Sequence, residues 1–343
     1  MTAPTSAPMP SPMVVFQALN AYQRTALLKS AIELDIFTAV AEKGEGGASA
    51  QDVAARCKVA ERGARIACDA LTVHGLLQKN NGRYTPTRDT AVFLDRRSPA
   101  YMGSAVRFLL SPTLLRGFEV LTDAIRKGGT AMDHEGTTAA EHPAWVDFAE
   151  AMAGLQIMPS ESLAKLIGAE SAGHSKVLDV AAGHGLFGIA VARQNPQAEI
   201  VALDWPNVLE VARRHAREAG VDARYRTLPG SAFDVDLGSG YDVVLITNFL
   251  HHFDVPACEK FMKRVHAALK PGGRAVTLEF VPDDDRVTPP DAGSFSLIML
   301  ASTPAGDAYT FAEYDRMFRN AGFARNEIHP LPPTFQSVVI SHK

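Results

Sequence analysis

The ten residues Val177-Leu-Asp-Val-Ala-Ala-Gly-His-Gly-Leu186 decide the fold of this chain. An apolar run includes an acid, two glycines then flank a histidine, and the apolar character resumes in Phe187-Gly-Ile-Ala-Val-Ala192. This order predicts a buried strand, a glycine-rich turn and a helix. Because glycine has no Cβ atom, such a turn allows backbone N–H groups to approach a ligand closely.

A second acid follows at the spacing of a nucleoside site. The apolar run Glu199-Ile-Val-Ala-Leu203 ends in Asp204, and an acid about 20 residues after a glycine turn is placed to accept hydrogen bonds from ribose hydroxyls. The two patterns together predict a nucleoside site at the carboxyl ends of two parallel strands.

The kind of nucleoside depends on the acid before the turn. Gly183-His-Gly-Leu-Phe-Gly188 has the G-x-G-x-x-G letters of a dinucleotide site, but Asp179 stands four residues upstream. A carboxylate there repels a pyrophosphate and suits a positively charged amino-acid group or a sulfonium. The segment resembles the first motif of S-adenosylmethionine-dependent methyltransferases, roughly D-x-G-x-G-x-G, with Ala181 in place of the first glycine. The resemblance implies S-adenosyl-L-methionine as cofactor and S-adenosyl-L-homocysteine as product.

Composition narrows the classes of partner. The chain has 343 residues, of which 46% are hydrophobic and 21% are charged, and its net charge is −4. A balance of this kind gives no electrostatic reason to expect nucleic acid or a membrane as partner. Three cysteines show no metal-ligand spacing, which favours a reducing cytoplasm. The length suits two domains.

Alternating strands and helices predict an α/β fold with a doubly wound parallel sheet in the C-terminal half. The linker Pro330-Leu-Pro-Pro333 is too short for a crossover helix, so the last two strands must run antiparallel. A parallel sheet with a terminal antiparallel hairpin is the class I methyltransferase fold. The predicted strands lie near 176–181, 199–203, 223–227, 241–247 and 274–281, with a final pair near 324–329 and 335–341.

The N-terminal part has a winged-helix pattern. Ser-Ala-Gln-Asp52 is a capping-box-like helix start, and Asn80-Asn-Gly82 predicts a hairpin. One alternative is a ligand-sensing DNA-binding regulator. Its recognition helix would begin at Glu61, but the helix carries few basic residues and is otherwise apolar, whereas a groove-reading helix needs a basic, hydrogen-bonding face.

Four segments follow from these patterns. Residues 1–12 are expected to form a disordered arm, 13–100 a winged-helix-like domain, 101–170 a helical linker with substrate-pocket helices, and 171–343 the cofactor-binding domain. In the family that the chain resembles, the winged-helix module is a dimerisation domain, which implies a homodimer.

The candidate base follows a buried strand. Asp242-Val-Val-Leu-Ile-Thr247 ends at Asn248-Phe-Leu-His-His-Phe-Asp254, and residues just past a strand's carboxyl end face the ligand crevice of an open α/β sheet. Leu250-His-His-Phe253 resembles the L-x-H-D-W segment of the two-domain small-molecule O-methyltransferases of plants and bacteria. The match puts His251 at the position of the general base and His252 where the family has aspartate. A phenol has a pKa near 10, so a histidine with a pKa near 6.5 assists its deprotonation.

The same resemblance implies an acid that orients this histidine. Glu279, at the end of a strand, matches the first family glutamate. The second belongs to a G-x-E-R-T-like segment, which here is Gly306-Asp-Ala-Tyr-Thr310, so Ala308 replaces the glutamate and Asp307 is one residue away. This departure leaves transfer to nitrogen or carbon, or a non-methylating reaction, as alternatives to transfer to the hydroxyl of a small, aromatic or natural-product-like acceptor.

No metal site is expected, and the acidic run Asp283–Asp285 is expected to be a solvated loop.

The resemblance also implies two sets of binding residues. The expected cofactor residues are Asp179, Gly183 and Gly185 at the amino-acid end, Asp204 at the ribose, Trp205, Ser231, Ala232 and Phe233 at the adenine, and Asn248 in the same crevice. The expected residues around the acceptor are Phe148, Met152, Phe249, His252, Phe295 and Met299.

Overall fold

The computed structural model describes residues 10–133 and 136–343. The chain divides into two compact units, one ending at Val106 and one running from Arg107 to Lys343. Most of the arm expected at residues 1–12 therefore lies outside the described residues.

The first unit is helical with one small hairpin. The Ser49 hydroxyl accepts a hydrogen bond from the Asp52 amide at 3.1 Å and the Asp52 carboxylate accepts one from the Ser49 amide at 2.8 Å, which is the predicted capping box. Asn81 and Gly82 both have positive φ, as a two-residue turn of type I′ requires. Its elements are α1 Met13–Glu33, α2 Ile36–Ala41, α3 Ala50–Cys57, α4 Glu61–Val73, β1 Leu77–Asn80, β2 Arg83–Pro86 and α5 Arg88–Phe93.

Helix α1 carries large apolar side chains that this unit leaves exposed. Phe16, Leu19 and Tyr22 expose 53%, 64% and 68% of their surface, although they recur at helical spacing. Exposed apolar surface of this extent on one helix is typical of a protein–protein interface.

The second unit alternates strands with helices as the sequence predicts. Its elements are α6 Val106–Leu109, α7 Pro112–Glu119, α8 Leu121–Lys127, α9 Ala144–Leu166, β3 Ser175–Val180, α10 Leu186–Gln194, β4 Ala198–Asp204, α11 Pro206–Glu218, β5 Tyr225–Pro229, β6 Tyr241–Thr247, α12 Val255–Ala268, β7 Leu269–Glu279, α13 Pro290–Ser302, α14 Phe311–Asn320, β8 Arg325–Pro330 and β9 Ser337–His342.

One mixed sheet organises the second unit. Within the described residues its strand order is β5-β4-β3-β6-β7-β9-β8. Strands β3 to β7 pair in parallel, and β9 pairs antiparallel with both β7 and β8. The predicted doubly wound sheet and its terminal antiparallel hairpin are therefore confirmed. The chain order reverses beside β3, and ligands bind at such a switch point, outside the carboxyl ends of the strands.

Both faces of the sheet are buried, which explains the continuous apolar runs in its strands. Along β3, Val177 packs with helix α10 on one face, and Leu178 and Val180 pack with Phe261 of α12 on the other. Alternate side chains of a strand point to opposite faces, so one strand contributes to both cores. The carboxyl end of the sheet, which carries the predicted site, is therefore packed against helices on both faces.

Candidate active site

A central cavity of about 470 Å³ lies at the carboxyl ends of the parallel strands. Its wall is mainly aromatic and aliphatic, with a few polar groups among them. Most of the predicted site residues lie on this wall, namely Phe148, Met152, Gly183, Asp204, Trp205, Ser231, Ala232, Phe233, Asn248, Phe249, His251, His252, Phe295 and Met299. Four others, Asp179, Gly185, Glu279 and Asp307, are not on it.

The glycine turn folds by adopting left-handed backbone conformations. Ala181, Gly183 and Gly185 have φ of +50°, +57° and +76°. A Cβ atom at position 185 would lie 2.6 Å from the Tyr225 hydroxyl and 2.9 Å from Ala212, so the turn packs against the protein interior there. Gly185 therefore packs closely against the protein interior and does not line the cavity, and its expected contact with the cofactor stays a prediction.

Asp204 is fixed at the end of β4 with its carboxylate at the cavity. Oδ2 accepts a hydrogen bond from the Gly183 amide at 2.8 Å, and Oδ1 accepts one from the Trp205 amide at 2.7 Å. Burial raises the pKa of Asp204 to about 6, because a charge is costly in a poorly solvated site. An acid held this way is positioned to accept hydrogen bonds from vicinal hydroxyls.

Asp179 does not reach the cavity. Its side chain is buried beneath the glycine turn, where Oδ2 accepts a hydrogen bond from the Gly188 amide at 3.0 Å. Burial, together with the charge of Asp204, raises the pKa of Asp179 to about 8. In this structure Asp179 joins β3 to α10, and a neutral carboxyl is its favoured form at pH 7. Its expected contact with an amino-acid moiety stays a prediction.

His251 and Glu279 form a buried pair at the opposite side of the cavity. His251 Nδ1 lies 2.5 Å from Glu279 Oε2, and Glu279 Oε1 accepts hydrogen bonds from the Phe249 and Leu250 amides at 3.0 and 2.9 Å. A carboxylate with these partners can only accept from the ring, so we assign the histidine proton to Nδ1. Nε2 is then left with a free lone pair, the arrangement that a general base needs.

Aromatic rings enclose this histidine. The His252 ring stacks on the His251 ring at 4.2 Å, and Phe295 lies edge-on at 4.8 Å. Phe280 stacks in turn on Phe295 at 3.6 Å. Burial and the neighbouring His251 hold the pKa of His252 well below its usual value, so His252 is neutral and acts as part of the wall.

The predicted adenine residues form a separate aromatic corner of the cavity. Phe233 contacts Phe249 and Phe253 at ring distances of 5.9 and 4.8 Å. The Ser231 hydroxyl accepts a hydrogen bond from the Phe233 amide at 3.2 Å, and Asn248 takes a positive φ of +54° beside the same crevice. Trp205 lies directly after Asp204 on the wall.

Comparison with known proteins decides the family. The O-methyltransferase domain family matches residues 118–324, and the O-methyltransferase dimerisation domain family matches residues 16–96. The chain belongs to the O-methyltransferase family.

Known relatives match this chain over nearly its whole length. The 3-hydroxy-5-methyl-1-naphthoate 3-O-methyltransferase of Streptomyces sahachiroi is 32% identical over 303 residues, which are 87% of this chain and 86% of the relative. A crystal structure of a candidate O-methyltransferase from Nostoc punctiforme PCC 73102 matches with a TM-score of 0.94 and 50% identity, covering 98% of this chain and 100% of the other. Human N-acetylserotonin methyltransferase, solved with S-adenosylmethionine, shares the fold with a TM-score of 0.85 at 21% identity, covering 98% and 99%.

As a member of this family, the chain is an S-adenosylmethionine-dependent O-methyltransferase. The predicted fold, cofactor and enzyme class are confirmed. Its N-terminal module is a dimerisation domain, which replaces the alternative of a DNA-binding regulator.

The O-methyltransferase departs from its family pattern at the second glutamate. Ala308 is fully buried there. Asp307 pairs with Arg286 at 3.1 Å and accepts a hydrogen bond from Ser296 at 2.6 Å, away from the cavity wall. Glu279 is the carboxylate that contacts His251, and the catalytic role expected of Asp307 stays a prediction.

Several wall residues of the O-methyltransferase were not predicted. Two of them had a usable signal: Trp145 lies three residues before Phe148, and Gln156 lies four after Met152, so one face of α9 brings all four to the cavity. His184, within the quoted motif itself, stacks near Phe148 at 6.1 Å. Other unpredicted wall residues come from α6 and α7 and from the end of β7, namely Phe108, Leu114, Phe118 and Phe280.

Over residues 10–133 and 136–343, the O-methyltransferase has no group of three or more His, Cys, Asp or Glu side chains that could hold a metal ion. No helix in the same residues is long and apolar enough to cross a membrane.

Proposed function

We propose that the central cavity holds S-adenosylmethionine beside an aromatic acceptor and that His251 removes the proton from the acceptor hydroxyl. The observation that carries this proposal is the His251–Glu279 pair, with Nδ1 2.5 Å from the carboxylate and the ring on the cavity wall. The cofactor supplies an electrophilic methyl group when it is bound.

The cofactor fits the side of the cavity that carries Asp204. The Asp204 carboxylate accepts hydrogen bonds from the ribose hydroxyls, as the spacing from the glycine turn predicts. Trp205 and Phe233 offer flat apolar surfaces for the adenine, and Ser231 and Asn248 offer polar atoms beside them. Phe148 covers the turn itself, since its ring would lie 3.5 Å from a Cβ atom at Gly183.

Glu279 acts by positioning the base. Its two backbone hydrogen bonds fix the carboxylate, which in turn fixes the His251 ring and keeps the proton on Nδ1. Nε2 then accepts the hydroxyl proton as the acceptor oxygen gains the methyl group. The ionised carboxylate stabilises the imidazolium that results.

An aromatic acceptor is supported by the wall around the base. Phe249, Phe280, Phe295 and Met299 line the cavity near His251 and offer flat or adaptable apolar contacts. The relative from Streptomyces sahachiroi acts on a hydroxynaphthoate, which is an acceptor of this class.

We further propose that two copies associate through α1, consistent with the dimerisation domain at residues 16–96. Replacing Phe16 and Leu19 together by serine should convert the dimer to a monomer in light scattering, because both exposed side chains would be buried between subunits. Gln17→Ser on the same helix is the control. A dimer that persists in the double variant would place the interface elsewhere.

We also propose the cytoplasm as the location of the enzyme. Cys57, Cys68 and Cys258 are all free thiols, which supports a reducing compartment.

The test of the catalytic proposal is methyl transfer from labelled S-adenosylmethionine to 3-hydroxy-1-naphthoate, with 3-amino-1-naphthoate as the matched acceptor. We expect methylation of the hydroxyl compound, and a fall in kcat of about 10²–10⁴-fold in His251→Asn. S-adenosylhomocysteine should bind the variant as tightly as the wild type. Preferred transfer to the amine, or a His251→Asn enzyme with unchanged kcat, would contradict the proposal.

A further inference from the structure

One polar side chain on the cavity wall is left without the partner that its burial requires. Gln156 lies on α9, lines the central cavity and exposes only 5% of its surface. Its Oε1 atom is buried and has no hydrogen-bond partner within the described residues. A buried amide oxygen in a native site is normally paired, so this atom points to a group that a ligand brings.

The packing of α9 places Gln156 beside the start of α10. Near one end, Phe148 would lie 3.5 Å from a Cβ atom at Gly183, and near the other, Glu161 pairs with Arg193 of α10 at 2.9 Å. The two helices therefore run side by side in the same direction. Gln156 is about 12 Å along the axis from Phe148 and about 7.5 Å from Glu161, which puts it near the first turns of α10.

The glycine turn has four of its backbone amides engaged within the protein. Asp179, which was expected to contact the cofactor's amino-acid end, is buried beneath the turn. The amides of Gly183, Gly185, Leu186 and Gly188 donate to Asp204, Ala182, His184 and Asp179 respectively. These four amides are therefore not free to donate to the carboxylate at the amino-acid end of a bound cofactor.

We propose that Gln156 binds the amino-acid end of S-adenosylmethionine. Oε1 accepts a hydrogen bond from the α-ammonium group, and Nε2 donates to the α-carboxylate, which the positive N-terminal end of α10 also attracts. The inference rests on the cofactor placement proposed above. It moves the role predicted for Asp179 to a residue on a different element.

The experiment measures the affinity of two ligands for the full chain by calorimetry. S-adenosylhomocysteine carries the amino-acid end, whereas 5′-methylthioadenosine keeps the adenine, ribose and sulfur but lacks it. In Gln156→Leu we expect the affinity for S-adenosylhomocysteine to fall about tenfold, the loss of a hydrogen bond to a charged group. The affinity for 5′-methylthioadenosine should stay within about twofold of the wild type. Gln156→Met, with a similar length and shape, carries the same expectation if the leucine variant does not fold.

Gln51→Leu, an exposed glutamine of α3, is the matched control and should change neither affinity. Equal weakening of both ligands by Gln156→Leu would mean a general disturbance of the cavity and would overturn the inference. An unchanged affinity for S-adenosylhomocysteine would also overturn it, and a raised acceptor KM in that case would assign Gln156 to the acceptor. Failure of the wild type to bind either ligand would instead remove the cofactor placement on which the inference rests.

Discussion

Two buried carboxyl groups at the same edge of the sheet have opposite surroundings. Asp179 on β3 is 1% exposed, accepts a hydrogen bond from Gly188 and has an Oδ1 atom without a partner among the residues that the structure describes. Glu279 at the end of β7 is fully buried and accepts from Phe249, Leu250 and His251. The first group is driven towards its neutral form, and the second has donors for both oxygens.

The difference shows that burial alone does not assign a role to an acid. A buried carboxyl with too few donors keeps its proton and serves the packing of the chain, whereas one with several donors can stay charged and orient a base. Asp204 lies between these cases, because its two amide donors only partly offset burial and leave its pKa raised to about 6.

The largest expected effect is on the well-partnered acid. In Glu279→Gln, the amide oxygen can satisfy the Phe249 and Leu250 amides, but the NH₂ group then faces His251 Nδ1 and favours the tautomer with the proton on Nε2. We expect kcat for methyl transfer to fall about 10²-fold. The affinity for S-adenosylhomocysteine, measured by calorimetry on the same protein, should not change. A kcat within threefold of the wild type would mean that Glu279 does not position the base.

Asp204 should show an effect on binding rather than on rate. Its folded-state pKa of about 6 predicts that the affinity for S-adenosylhomocysteine weakens as the pH falls below 6, because the protonated acid loses acceptor capacity for the ribose. Asp204→Asn should bind about tenfold more weakly at pH 7.5. The affinity of this variant should stay flat between pH 5 and pH 7.5. A pH-dependent affinity in the variant as well would assign the titration to another group.

Asp179→Asn should stabilise the protein. Asp179 has a pKa of about 8 in the folded chain and about 3.9 in the unfolded chain, so the folded state holds a proton that the unfolded state releases. Stability from this group therefore falls as the pH rises from about 4 to about 8. Asparagine removes this dependence and keeps the acceptor for Gly188. We expect thermal unfolding at pH 8 to shift upward by at least about 3 °C, and the difference to vanish near pH 4. A variant that is less stable at pH 8 would show that Asp179 is charged when folded.

The sequence predicted the elements around these acids well. The apolar runs around Val177 and Val243 form parallel strands because both faces of the sheet are covered, and the short proline-rich link after Pro330 forces the antiparallel hairpin. Asp204 is the last residue of β4 and His251 lies four residues after β6, so a correct strand assignment also places them at the cavity.

The direction of a side chain was harder to predict. Asp179 belongs to a strand whose alternation sends its carboxyl beneath the turn, where a Cβ atom at position 188 would lie 2.8 Å from its Oδ2. Asp307 was assigned from a position one residue away in the motif, but its local partners are Arg286 and Ser296. The contacts of Asp307 depend on loop geometry and on residues 21 and 11 positions away in the chain.

The smallest expected effect concerns the turn above Asp179. Ala181 has a φ of +50°, a conformation that costs an alanine about 1 kcal/mol relative to glycine. Ala181→Gly should therefore raise the free energy of unfolding by up to about 1 kcal/mol, measured by urea denaturation, with no change in kcat. Ala182→Gly, next to it but outside the residues with positive φ, is the control and should be destabilising. A destabilised Ala181→Gly protein would indicate that the alanine methyl makes a packing contact worth more than the backbone strain.

The most direct test of His251 as the general base is the tautomer of its ring, read from ¹⁵N-edited NMR spectra of the S-adenosylhomocysteine complex and assigned with His251→Asn. A base held by Glu279 predicts a proton on Nδ1, donated to Glu279, and an unprotonated Nε2 in the wild type. It also predicts the reverse in Glu279→Gln. A wild-type spectrum with the proton on Nε2 alone would contradict it, because the ring would then have no lone pair for the acceptor hydroxyl.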